Sequence, residues 1–335
     1  MNIIVPMAGM GKRMRPHTLT TPKPLVPVAG KPIVEHLVHD LAGMCNEKIE
    51  EVAFVIGRNF GPEAEANLLK IAENIGAVGK IFYQDEALGT AHAVYCAEPC
   101  LRGNVIVAFA DTIFRADFKL DAGKDGVIWV NKVENPQQFG VVKIAAEGNI
   151  SEFIEKPQEF VSDLAIIGIY YFKDGDNLSA EIKYLLDNDI KDKGEYQLTN
   201  ALENMKNKGL KFHPGTVGEW LDCGNKNATV HTNQRVLEIE KNKYANIPAS
   251  AQLQNVQIVP PCYIGENVKI SNSVIGPHAS IGSDCEIENS LISNSIVQAK
   301  AKLKNANIVN SMLGKEAKFT GKQDDVSISD FSVME

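Results

Sequence analysis

The sequence predicts an α/β domain built on a mostly parallel sheet, followed by a parallel β-helix. Two patterns carry this reading. Through the first two thirds, short apolar runs alternate with stretches of helical period. From Ile258 onward no stretch is helical, and aliphatic residues recur every five or six positions. Strands alternating with helices imply parallel pairing with both faces of the sheet covered. A near-hexapeptide aliphatic period implies short strands that turn corners, each pointing one side chain inward.

The strand candidates in the first part are Asn2–Met7, Glu51–Ile56, Lys80–Gln84, Asn104–Ala110, Gly126–Val130, Ala165–Phe172 and Leu210–His213. The helix candidates are Ile33–Met44, Pro62–Ile75, Thr90–Cys96, Leu178–Asp187, Gln197–Lys206 and Ala228–Lys241. In such sheets a ligand sits beyond the carboxyl ends of the strands. The periodic aliphatics are Ile258, Ile264, Ile270, Ile275, Ile281, Ile287, Ile292, Val297, Leu303, Ile308 and Leu313. The expected domains are residues 1–243, a linker over 244–254 that contains Pro248, and a β-helix with its tail over 255–335.

A length of 335 residues suits two domains. The net charge of -8 argues against a nucleic-acid surface, and no apolar run approaches a membrane span. The six cysteines form no CxxC pair, and the start at Met1 lacks the features of a signal peptide. A cytoplasmic protein with reduced thiols is expected. The charge is unevenly distributed. No acidic residue precedes Glu35, whereas Lys12, Arg13, Arg15, Lys23 and Lys31 all do. That basic head suggests a local anion site.

Ala8-Gly9-Met10-Gly11-Lys12-Arg13-Met14 follows the first strand directly. Glycines there let backbone N–H groups approach phosphate oxygens, and Arg13 can hold a phosphate bidentately. The third glycine of a dinucleotide-binding fingerprint is absent, since Met14 stands in its place, which argues against a dehydrogenase. Prolines 16, 22, 24 and 27 follow where a crossover helix would run. The run Thr21–Val28 is expected to form an extended loop that presents Lys23 at a fixed place.

The pattern AGxGxRM…PKPLVPVAGKP resembles the signature of the sugar-1-phosphate nucleotidylyltransferases, especially glucose-1-phosphate thymidylyl- and uridylyltransferases. The resemblance covers Met1 to about Glu240. It implies a Rossmann-like mixed sheet of the nucleotide-diphospho-sugar transferase type, and a left-handed β-helix like that of members carrying one. It also implies that the glycine-rich loop (Ala8, Gly9, Gly11, Lys12) and Arg13 grip a triphosphate, and that Lys23 contacts the substrate phosphates. Family loops read G-x-G-T-R, and here Lys12 replaces the threonine.

Further positions extend the resemblance. Gln84-Asp85-Glu86-Ala87-Leu88-Gly89-Thr90-Ala91-His92-Ala93 resembles the family's base-recognition motif. A Gln amide offers a donor and an acceptor that match O4 and N3–H of uracil or thymine, and Gly89 gives access to the base edge. His92 is expected to be a structural helix residue. Asp111, after an apolar strand, and Asp222, in Trp220-Leu221-Asp222-Cys223-Gly224, match the family's Mg²⁺-binding aspartates. Gly140, Glu155, Lys156, Gly168 and Tyr170 match the sugar-phosphate side.

The function expected from this resemblance is nucleotidyl transfer from UTP or dTTP to a sugar-1-phosphate, with glucose-1-phosphate favoured and pyrophosphate released. The alternatives are a mannose-1-phosphate guanylyltransferase and a non-catalytic binding protein on the same fold. Some family β-helices are coenzyme A-dependent acetyltransferases. Here the coils are short and end near Leu313, with His278 as the region's single histidine, so a role in oligomerisation or regulation is expected. The expected partners are the two substrates and further copies of the chain, with neither nucleic acid nor membrane.

Overall fold

The computed structural model describes residues 1–9, 11–115 and 118–321. The acidic tail, with its β-like stretch Val326–Val333, lies outside the described residues. The described chain divides into two compact units: residues 1–26 with 31–225, and residues 27–30 with Lys226 onward.

The first unit is built on a nine-stranded mixed sheet. At its centre Asn2–Pro6 pairs in parallel with Glu51–Ile56 on one side and Val105–Ala108 on the other. Val78–Tyr83 adds a further parallel strand beyond Glu51–Ile56. The long strand Leu164–Phe172 runs antiparallel to Val105–Ala108, and to Gly126–Lys132 and Gly140–Ile144.

Successive residues of the central strands enter opposite cores. Ile3, Val5, Val52 and Phe54 join one hydrophobic cluster, while Ile4, Ala53 and Val55 join the other. This is the period of two of a strand buried on both faces. Helices α1 (Ile33–Met44) and α2 (Gly61–Asn74) cover the first face with residues such as Leu37, Leu41 and Leu68. Helices α3 (Thr90–Tyr95), α4 (Gly175–Asp187) and α5 (Leu198–Asn207) cover the second with Val94, Ile182 and Leu202.

Each expected strand and helix of this unit forms, with ends shifted by no more than a few residues. Strands absent from the sequence reading also form, among them Thr112–Arg115, Gly140–Ile144, Ile150–Glu155 and Glu219–Asp222. The proline-rich run is not extended throughout, because Lys23–Leu25 winds into one 3-10 turn. There the N–H of Val26 donates to the carbonyl of Lys23.

The second unit is a β-helix joined by α6 (Lys226–Ile239). Its strands stack in parallel at fixed offsets: Lys269 faces Glu286, Glu286 faces Lys302, and Lys302 faces Lys318. Each coil is therefore 16 or 17 residues, or three sides of five to six. Ile264, Ile270, Ile275, Ile281, Ile287, Ile292, Val297 and Leu303 form its core, and Ile258, Ile308 and Leu313 pack against it. The strand Lys318–Thr320 carries the coils past Leu313. The compact-unit boundary falls at Asn225/Lys226, ahead of the 244–254 segment, and strand structure begins at Gln252.

Asparagines 255, 272, 289 and 305 occupy left-handed corners (φ 48° to 53°), and their amides pair from coil to coil. His278, also at a left-handed corner, faces Glu238 of α6 at 3.1 Å.

Candidate active site

Two cavities open on the first unit and share Arg13, Thr90, Phe109 and Asp111. The larger, about 440 Å³, is lined by Ala8, Gly9, Gly11, Lys12, Lys23, Gln84 and Gly89. The smaller, about 310 Å³, is lined by Gly140, Glu155, Lys156, Gly168, Tyr170 and Asp222. Every residue singled out by sequence as nucleotide-side thus lies on the first cavity, and every sugar-side residue on the second.

The glycine-rich loop is shaped by its neighbours. Gly11 has φ 56°, and a Cβ on it would sit 2.9 Å from Cβ of Lys23, so glycine lets the lysine cross beneath the loop. The Lys23 ammonium lies 3.3 Å from a carboxylate oxygen of Asp111, with the lysine side chain 10 % exposed and the aspartate 49 %.

Asp111 and Asp222 come from distant parts of the chain. The short strands Thr112–Arg115 and Glu219–Asp222 pair antiparallel, with Asp222 opposite Thr112. The N–H of Cys223 donates to the backbone carbonyl of Asp111 at 3.0 Å. The Asp222 side chain accepts the N–H of Gly224 at 2.8 Å. Burial, followed by the Asp111 charge, raises the Asp222 carboxyl from its ordinary value, against the opposing pull of the Gly224 N–H, Lys23 and Arg13.

Two carboxylates that repel each other on a cavity wall without His or Cys form an oxygen donor set. Among the described residues no group of three or more such ligands forms an all-protein cage. Mg²⁺ is commonly held in this way, by one or two carboxylates with substrate phosphates and water completing the shell. The residues present therefore fit Mg²⁺.

On the sugar side, the Glu155 carboxylate lies against Gly140, 3.0 Å from where a Cβ would stand. It accepts the Thr199 hydroxyl at 3.3 Å and faces the Lys156 ammonium at 3.5 Å. Burial, then Glu155 and Asp111, push the Tyr170 phenol far upward, which keeps it a neutral hydroxyl at this wall. Gly168 falls in a register irregularity between Ile166 and Tyr170, and its carbonyl accepts the N–H of Phe109.

The Gln84 amide has less freedom than its type suggests. Its Nε2 lies 3.3 Å from the Gly89 carbonyl and 3.2 Å from His92 Nδ1. A carbonyl can only accept, so the NH₂ faces Gly89. Thr90 is engaged as well. Its hydroxyl donates to Gln197 Oε1 at 3.1 Å and accepts the N–H of Leu198 at 2.9 Å. Its donor is thereby used, and one acceptor lone pair remains.

Sequence reasoning missed Phe109 at the seam, Thr199 beside Glu155, and Trp220 and Asn225 on the second cavity. Thr199 stood in the helix candidate Gln197–Lys206 and Trp220 in the motif of Asp222, and only their place on the cavity wall singles them out.

Residues 2–239 match the Nucleotidyl transferase family. The chain belongs to that family. It is similar to the low-salt glycan biosynthesis nucleotidyltransferase Agl11 of Haloferax volcanii, with 34% identity over 69% of this chain and 64% of the relative. It is similar to the bifunctional protein GlmU of Methanococcus vannielii, with 31% identity over 67% of this chain and 52% of the relative. The chain thus spans about half to two thirds of the length of these relatives. Among solved structures it resembles one from Bacillus anthracis assigned as a glucose-1-phosphate thymidylyltransferase. That match has a TM-score of 0.59 and 25% identity, over 69% of this chain and 93% of that one.

Proposed function

We propose that this family member transfers a nucleotidyl group from UTP or dTTP to a sugar-1-phosphate, with glucose-1-phosphate favoured. The observation that carries the proposal is the pair of cavities sharing Arg13 and Asp111 at their seam. One cavity takes the triphosphate and the other the sugar phosphate, so the reacting phosphates meet at those residues.

A phosphate oxygen of the sugar-1-phosphate attacks the α-phosphorus in line, forming the new P–O bond as the bond to pyrophosphate breaks. The nucleophile is already an anion, so no general base is required. Arg13 and Lys23 hold the phosphates and offset the repulsion between them. Asp111 and Asp222 would hold Mg²⁺, which supplies charge neutralisation at the phosphoryl oxygens when bound. Glu155 accepts from sugar hydroxyls, Tyr170 donates to the sugar, and Lys156 pairs with its phosphate.

A second reading, guanylyl transfer to mannose-1-phosphate, has one observation in its favour. With its NH₂ engaged at Gly89 and His92, Gln84 offers Oε1, which accepts N1–H of guanine as well as N3–H of uracil. Pyrophosphate release measured for the common nucleoside triphosphates against a panel of sugar-1-phosphates tests both readings. UTP or dTTP with glucose-1-phosphate is expected to give the highest kcat/KM. Preference for GTP selects the second reading, and absence of release with every pair overturns the activity.

A further inference from the structure

We infer that His92 is a specificity-positioning residue: together with the Gly89 carbonyl it fixes the Gln84 amide so that only its oxygen meets the base. The inference rests on the reading that Gln84 faces the base.

A free glutamine can rotate its amide by half a turn and offer either a donor or an acceptor at nearly equal cost. Such a residue would accept N3–H of uracil in one orientation and donate to the bare N3 of cytosine in the other. The structure removes that freedom. One NH₂ hydrogen points to the Gly89 carbonyl at 3.3 Å. The other points to His92 Nδ1 at 3.2 Å, which accepts it when the imidazole carries its proton on Nε2. Among the described residues, Oε1 has no hydrogen-bond partner.

Flipping the amide would set its oxygen against the Gly89 carbonyl and would require the imidazole to shift its proton to Nδ1. Neither the Gly89 carbonyl nor the His92 ring can easily move aside. Gly89 has φ 121°, and a Cβ on it would lie 2.4 Å from the Tyr196 carbonyl. The adjacent N–H of Ala91 donates to that same carbonyl at 2.9 Å. His92 is carried in the first turn of α3, which packs into the second core through Ala91 and Val94. The pocket therefore selects bases with an N–H at the ring position that meets Oε1, which are uracil, thymine and guanine. It rejects cytosine and adenine, whose bare ring nitrogen would face a lone pair.

The test is a ratio of kcat/KM values, taken with UTP against CTP, or with GTP against ATP if the protein prefers GTP. The wild type, His92→Phe, His92→Asn and Gln84→Ala are compared with one sugar-1-phosphate. Phenylalanine keeps the ring and loses the acceptor, so its ratio is expected to fall roughly tenfold, mainly through gain of the bare-nitrogen substrate. Asparagine can set Oδ1 where Nδ1 stood, and is expected to restore the ratio. If His92→Phe lowers both substrates equally or leaves the ratio unchanged, His92 does not position the amide and the inference falls. If Gln84→Ala leaves the ratio unchanged, the base reading itself fails, a result distinct from the failure of His92 alone.

Discussion

In the first unit, the carboxylates of Asp111 and Asp222 are joined by a two-stranded pairing between segments far apart in the chain. In the second, the strand pairings between coils repeat at a step of 16 or 17 residues, as Lys269 meets Glu286 and Glu286 meets Lys302. A repeat turns sequence distance into spatial distance by a fixed rule, so its architecture can be read from period alone. An α/β unit has no such rule. The pairings that bring its functional groups together are individual events of packing.

The contrast makes the largest effect chemical and confined to the first unit. Arg13→Ala and Asp111→Asn are each expected to lower kcat by on the order of 10²–10³, because each removes charge stabilisation at the phosphates. Both side chains line open cavities, so the folded state should survive by circular dichroism. Near-normal pyrophosphate release from either variant would remove the seam from the mechanism.

The next effect is thermodynamic and belongs to the repeat. Ile287 and Leu303 are equivalent positions in successive coils, each exposed by 2%. Truncation of either to alanine is expected to cost about 2–5 kcal/mol in chemical denaturation of the second unit. If one proved nearly neutral while the other was severe, the coils would not be energetically equivalent, and the comparison would lose its basis.

A smaller effect separates stability from activity within the first unit. Burial and Asp111 raise the Asp222 carboxyl, so the charged form is the costly one in the fold. Asp222→Asn should therefore raise Tm at neutral pH while reducing turnover. The sign follows from linkage. A raised native pKa favours folding while the group is protonated, and that advantage is lost as pH rises through the native value. The Tm difference between variant and wild type should accordingly shrink as pH falls toward the ordinary carboxylate range. An unchanged or lower Tm for the variant at neutral pH would mean that the Gly224 N–H, Lys23 and Arg13 compensate the charge fully.

The smallest effect probes the corners of the coils. Asn289 has φ 48°, and its amide pairs with Asn305. Asn289→Ala is expected to cost about 1 kcal/mol, because alanine resists the left-handed region. Asn289→Gly should cost less, since glycine adopts it freely. Equal losses for the two would make the amide pairing, rather than the backbone, the dominant contribution.

The sequence by itself determined the central strands and the covering helices of the first unit, though not the strands Gly140–Ile144 and Ile150–Glu155 at one edge of the sheet, because apolar alternation and helical period are local signals. It also determined the β-helix, because an inward aliphatic every five or six residues leaves few other ways to bury them. It singled out the glycine-rich loop, Arg13, Lys23, Gln84, Asp111, Glu155 and Asp222 on the two cavities, and missed Phe109, Thr199, Trp220 and Asn225 there. Tertiary structure alone decided the rest. The strands Thr112–Arg115 and Glu219–Asp222 are four residues each, too short for a periodic signal, yet their pairing is what sets Asp111 beside Asp222. The extended reading of Thr21–Val28 failed at Lys23–Leu25, where Pro24 sits comfortably inside a 3-10 turn. The orientation of the Gln84 amide was equally invisible. An amide offers both a donor and an acceptor, and only the positions of the Gly89 carbonyl and His92 Nδ1 decide which of them is left to meet a ligand.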